Sequence, residues 1–145
     1  MLFGQDRDQL RAVYCQAWQE HCEGKPLQPL QAQIVSVIEQ HREYQSLLEH
    51  PERALSRDYL PESGQSNPFL HMGMHLAIQE QISTDRPPGI RDLYRKLLAE
   101  YLDAHQLQHQ LMQCLAEMLW RAQRDGTVPD EARYLSCIRA LARQR

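Results

Sequence analysis

The sequence lacks the features that direct a protein to a membrane or to nucleic acid. No apolar stretch approaches the ~20 residues that a helix needs to span a bilayer. Only 7% of the residues are aromatic, which leaves few rings on which bases could stack. The net charge is -3 with neutral histidines, so there is no general attraction to phosphates. We therefore expect no membrane association, and the composition argues against a nucleic-acid partner.

The spacing of the cysteines matches no metal-binding or redox motif. The four cysteines are Cys15, Cys22, Cys114 and Cys137, and no two of them form a CxxC pair. This pattern favours free thiols in a reducing compartment over a disulfide framework. The first residues do not place an apolar stretch after a positive region, so no signal peptide is predicted. Together these features predict a cytoplasmic protein.

The composition and the spacing of the apolar residues predict a single all-α domain over residues 1–145, folded as a bundle of five or six helices. Hydrophobic residues (42%) and charged residues (24%) occur in the proportions of a globular protein. Apolar residues recur at helical spacing over most of the chain. The predicted helices cover residues 6–22, 29–44, 68–82, 90–101, 104–124 and 129–142. Residues 47–66 form a crossover that contains, at most, short helical turns around Pro51.

The most apolar stretch, Asn67–Ile78, contains two histidines. Asn67 is a good N-cap and Pro68 suits the first helical position, so a helix should begin here. His71 and His75 lie four residues apart, which places both imidazoles on one side of that helix. His105 and His109 repeat the spacing at the start of the fifth predicted helix, where Asp103 can act as the cap.

The two histidine pairs predict a metal site between the third and fifth helices. A turn on each side of the fourth helix reverses the chain, so the third and fifth helices should be parallel and begin at the same end. Both pairs lie in the first two turns of their helices and should therefore be level with each other. Imidazole is a common ligand of zinc and also suits iron and nickel. His71, His75, His105 and His109 are thus the predicted ligands of one divalent ion.

Four further side chains could complete or support this site: His21, His41, Glu80 and Glu117. Helical phase turns Glu80 away from the His71 side, and it favours a supporting position over direct ligation for Glu117. His21 and His41 lie at opposite ends of the first predicted helical hairpin. At most one of these two histidines should therefore reach the metal.

The sequence does not identify a reaction, and whether the protein is an enzyme stays open. Neither the Glu-x-x-His pattern of di-iron bundles nor the His-Glu-x-x-His of zinc proteases surrounds the histidine pairs. A mononuclear site remains, either structural or reactive. The alternative hypothesis is a metal-free cytoplasmic interaction protein with structural histidines and an unknown protein partner. A mildly basic segment from Arg121 onward makes RNA binding a weaker third hypothesis.

Four segments of the chain resemble a known family. They are Phe3–Arg7, Asn67–Ile78, Asp85–Pro87 and Cys114–Trp120. These segments resemble the uncharacterised bacterial domain-of-unknown-function family 1841, and the likeness covers nearly the whole chain. The histidine-containing segment is the most specific of the four. The resemblance implies a small bacterial protein and no particular activity.

Overall fold

The computed structural model describes residues 7–56, 67–101 and 103–144, which contain eight α-helices and no strand. This confirms the predicted all-α class, but the predicted count of five or six helices is wrong. The helices are α1 (Arg7–Cys22), α2 (Pro29–Glu39), α3 (Arg42–Leu48), α4 (Pro51–Ser56), α5 (Pro68–Thr84), α6 (Ile90–Leu98), α7 (Ala104–Asp125) and α8 (Glu131–Ala140). A short 3-10 helix, Leu141–Gln144, follows α8.

The additional helices arise because the second predicted helix ends early. α2 ends at Glu39, and His41 has a non-helical backbone (φ -128°, ψ 74°) from which α3 begins. Pro51 then begins α4, as expected for a residue whose fixed φ suits the first helical position. The predicted crossover therefore contains the end of α3 and all of α4. Its residues 57–66 lie outside the described part of the chain.

The chain divides into two compact units, residues 1–76 and 77–145, with the boundary inside α5. The single domain predicted for residues 1–145 stays a prediction. No described helix combines the length and the apolar character that crossing a membrane requires.

The described residues of the first unit, 7–56 and 67–76, pack around the apolar faces of α1 and α2. Tyr14, Ala17 and Trp18 of α1 are buried, as are Ile34, Val35, Val37 and Ile38 of α2. Arg11 is buried with them, and its guanidinium donates to the carbonyl oxygen of Ala54 at 2.8 Å. The same guanidinium lies 5.0 Å from the centre of the Phe69 ring. Arg11 therefore fastens α1 to both α4 and the start of α5.

Residues 77–145 contain a disulfide bond, Cys114–Cys137, that joins α7 to α8. The prediction of free thiols is wrong for these two cysteines, whose Cα atoms lie 5.8 Å apart. Their separation of 23 residues carried no motif, because only the packing of α8 on α7 brings them together. Cys15 and Cys22 are free, as predicted. Tyr134 of α8 is buried, and its hydroxyl donates to Gln81 Oε1 at 2.6 Å.

Candidate metal centre

His41 occupies the break between α2 and α3, and the preceding helix fixes its ring. The Nδ1–H of His41 donates to the carbonyl oxygen of Val37 at 2.8 Å, since a carbonyl can only accept. In the neutral ring, Nε2 then carries the lone pair that a metal ion requires. This carbonyl contact is the kind that orients metal-binding histidines in proteins. His41 is only 3% exposed and stacks on Tyr44, with ring centres 5.1 Å apart.

His71 and His75 lie near the start of α5, and the first turn of this helix is capped by Asn67 as predicted. The side chain of Asn67 accepts from the backbone N–H of Phe69 at 2.9 Å and of Leu70 at 3.3 Å. The two histidines therefore lie one turn apart on one side of the helix, with ring centres separated by 4.9 Å. His75 is fully buried and His71 is half-buried.

The rings of His41, His71 and His75 contact one another edge to face. The centre of the His41 ring lies 4.8 Å from each of the other two. The Nε2 atoms of His41 and His71 are 3.0 Å apart. Because Nε2 of neutral His41 accepts, Nε2 of His71 must donate in this contact. His71 therefore engages the lone pair that His41 would offer to a metal ion.

α7 positions His105 and His109 in its first two turns. The helix begins as predicted at Asp103, whose carboxylate accepts from the backbone N–H of His105 at 3.0 Å. The two rings contact edge to face with their centres 4.2 Å apart. Both side chains are half-buried.

Four histidines form a cluster that could bind a metal ion: His41, His75, His105 and His109. One ring nitrogen from each lies within 4.8 Å of the corresponding nitrogens of the others. Four nitrogens that bind one zinc ion at ~2.0–2.1 Å lie ~3.3–3.4 Å apart in a tetrahedron. The cluster is thus somewhat wider than a closed site.

The cluster overlaps the ligand set predicted from the sequence without being identical to it. It includes His75, His105 and His109, and His41 takes the fourth place that was assigned to His71. The predicted ligand set itself stays a prediction. The sequence signal for His41 was its position at the end of the apolar stripe of α2, after Ile34 and Val37.

The remaining candidates have other surroundings. His21 lies beside Trp18, with ring centres 5.3 Å apart. The side chain of Glu80 is exposed, while the carbonyl oxygen of this residue accepts from Thr84 Oγ1 at 2.8 Å. Glu117 forms an ion pair with Arg121 at 2.8 Å. None of these three belongs to the four-histidine cluster.

A protein-family model, described as a domain of unknown function (DUF1841), matches residues 6–140. The chain belongs to the DUF1841 family. This confirms the resemblance inferred from the four segments, and the match includes every histidine of the cluster. No curated protein matches the chain. No solved structure matches it either.

Proposed function

We propose that this DUF1841 protein binds one divalent metal ion through His41, His75, His105 and His109. The observation that carries the proposal is that all four ring nitrogens lie within 4.8 Å of one another. Two histidines one turn apart on a helix are common without a metal. Four imidazoles from three separate segments, two of them buried, are not readily explained by packing alone, because apolar side chains would fill the same space at lower cost.

An all-imidazole site favours zinc, with iron(II) and nickel(II) as the alternatives. Four protein ligands complete a tetrahedral zinc ion and leave no position for water, which is the arrangement of structural rather than catalytic zinc. The proposal therefore assigns the metal a stabilising role and assigns no reaction to the protein. A five-coordinate or six-coordinate ion would keep a position for an exchangeable ligand.

The first experiment is elemental analysis of tag-free protein purified without chelator, followed by titration with zinc, iron(II) and nickel(II). We expect near-stoichiometric uptake of one of these ions. His105→Ala should weaken that binding by more than ~100-fold, since even residues that only support a ligand contribute ~10–100-fold. His105 is half-buried near the start of α7, so this variant should fold, which circular dichroism checks.

His50→Ala is the matched control, because His50 is half-buried, lies outside the four-histidine cluster, and contacts the carbonyl oxygen of Ser46 through its Nδ1. It should bind metal as the natural chain does. If the natural chain takes up none of the three ions, the proposal is wrong. Equal loss of binding in His50→Ala and His105→Ala would also contradict it.

His71→Ala and His41→Ala separate the two ligand sets. If His41 is the fourth ligand, removing His71 removes one competitor for the His41 lone pair, and metal affinity should be unchanged or higher. His41→Ala should then lose binding. If the set predicted from sequence is correct, the pattern is reversed, with His71→Ala defective and His41→Ala active.

The metal-free interaction hypothesis has one supporting observation. Leu119 and Trp120 are large apolar residues on α7 that remain about half-exposed. Isolated exposed apolar residues are ordinary, so this surface is weaker support than the histidine cluster. If no metal binds, pull-down with Trp120→Ala as the negative control is the next measurement.

A further inference from the structure

A cavity of about 340 Å³ lies beside the disulfide within residues 77–145. Its volume is in the range of cavities that bind small molecules. The lining residues come from α7, from α8 and from the cap of α8: Cys114, Glu117, Met118, Arg121, Asp130, Arg133, Tyr134, Ser136 and Cys137. A disulfide bond therefore forms part of the wall of a pocket that an external molecule can enter.

The two cysteines of this disulfide differ in exposure. Cys114 is 3% exposed, whereas Cys137 is half-buried. A thiolate that enters the cavity therefore reaches the Cys137 sulfur more readily. Disulfide exchange requires access to the attacked sulfur, with the other sulfur as the leaving group. The unequal burial sets Cys137 as the point of attack and Cys114 as the leaving thiolate.

Charged residues of both signs line the same cavity as the disulfide. Glu117 and Arg121 form a partly exposed ion pair, which contributes little stability and can exchange partners. The Asp130 carboxylate accepts from the backbone N–H of Arg133 at 3.1 Å. The Arg133 side chain is exposed and has no ion-pair partner among the described residues. Two carboxylates and two guanidinium groups fit a ligand that carries both an ammonium group and carboxylates.

We propose that this cavity is a thiol–disulfide exchange site for a small zwitterionic thiol of the class that glutathione represents. Arginine binds the carboxylate of the incoming molecule, and the acidic residues face its ammonium group. The inference does not depend on the metal site, so each can fail without the other.

The exchange proceeds in two balanced steps. The thiolate sulfur of the first glutathione bonds to Cys137 Sγ, the Cys114–Cys137 bond breaks, and Cys114 leaves as a thiolate that takes a proton from water. A second glutathione thiolate then attacks the glutathione sulfur of the mixed disulfide and releases Cys137 as a thiolate. Two glutathione molecules are oxidised to their disulfide, and the protein disulfide is reduced to two thiols.

The test uses the oxidised full chain with Cys22→Ser, which removes the exposed free thiol. Reduced glutathione and 2-mercaptoethanol are added separately at matched thiolate concentrations, and intact-mass and peptide mass spectrometry follow the reaction. We expect a mixed disulfide on Cys137, a rate that saturates with glutathione, and a preference for glutathione that is lost in urea. Arg133→Gln should slow the glutathione reaction about 3–10-fold and leave the mercaptoethanol reaction unchanged, because only glutathione carries carboxylates.

Arg139→Gln is the matched control, since Arg139 is exposed on the same helix and does not line the cavity. It should react at the rate of the parent chain. A folded protein that resists both thiols would show that the disulfide is purely structural and would overturn the proposal. So would an unsaturable glutathione rate that Arg133→Gln and Arg139→Gln affect equally.

Discussion

The two compact units of the chain differ in what stabilises each of them internally. Residues 1–76 depend on a continuous apolar core, and the two free cysteines of the chain lie in this part without forming a bond. In residues 77–145, a covalent bond supplements the apolar contacts between α7 and α8. The cluster histidines of the two units differ too, since His41 and His75 are buried whereas His105 and His109 are half-buried. One unit should therefore respond mainly to core mutations and the other also to reductants.

The largest effect is expected from Ile38→Ala in the core of residues 1–76. Ile38 is fully buried, and truncating such a side chain costs about 2–5 kcal/mol of unfolding free energy through lost burial and the cavity left behind. Urea denaturation measures the change. Leu30→Ala on the same helix is the control and should cost much less, because Leu30 is 44% exposed. Equal losses for the two variants would contradict the assignment of this core.

Removing the disulfide tests what stabilises residues 77–145. Cys114→Ser/Cys137→Ser should lower stability by about 3 kcal/mol, as expected when a bond closing a loop of this size is lost. Hydrogen exchange should show faster opening of α7 and α8, with α1 and α2 less affected. Cys22→Ser, at an exposed free thiol, should change neither. A uniform loss of protection along the chain would show that the two units open together.

Alkaline pH provides a smaller test that reports on both units. Burial raises the pKa of Tyr14 to about 12, and burial also raises the pKa of Tyr134. Unfolded tyrosine loses its proton near pH 10, so the folded state holds more protons above that pH. The contribution of each tyrosine to stability should be constant below pH 10 and fall above it, by about 1.4 kcal/mol per tyrosine at pH 11.

Tyr14→Phe should flatten this alkaline loss by removing one ionising group from residues 1–76. Tyr134→Phe should do the same for residues 77–145, with an added loss of about 0.5–1.5 kcal/mol at neutral pH from the missing hydrogen bond. Urea denaturation at several pH values measures both slopes. An unchanged slope in either variant would show that the tyrosine concerned does not control the pH response.

The smallest effect is expected from Gly73→Ala. A Cβ at this position of α5 would lie 3.6 Å from Tyr14 Oη, which is an ordinary contact. Alanine should therefore stabilise the helix by about 0.5–1 kcal/mol, because glycine loses more backbone entropy on folding. Gly126→Ala should be destabilising instead, since Gly126 ends α7 with φ +65°. A loss of stability in Gly73→Ala would mean that Tyr14 cannot accommodate the methyl group.

The sequence predicted the parts of the fold that depend on neighbouring residues. The start of α5 at Asn67 and Pro68 and the start of α7 after Asp103 follow from capping chemistry within one helical turn. The early end of α2 did not follow. Its periodicity continues past His41, and the break there coincides with contacts to His71 and His75, which are distant in sequence.

For the candidate site too, the sequence predicted the residues that lie on one helix and missed those that only packing brings together. The pairs in α5 and α7 were found because a spacing of four residues is visible in the sequence. His41 stands alone and was only one of four secondary candidates. The Cys114–Cys137 bond was missed because a separation of 23 residues carries no local signal. Pairwise spacing can find ligands on one helix, but ligands between helices require the packed structure.

The hydrogen bond from His41 Nδ1 to the carbonyl oxygen of Val37 also limits where the sequence can gain or lose residues. One residue inserted or deleted between Ile34 and His41 would turn the imidazole by about 100° relative to the buried face of α2. Residues added before Pro29 would lengthen the chain without changing that angle. Relatives that keep the cluster should therefore differ in length before α2 begins and keep a constant number of residues from Ile34 to His41.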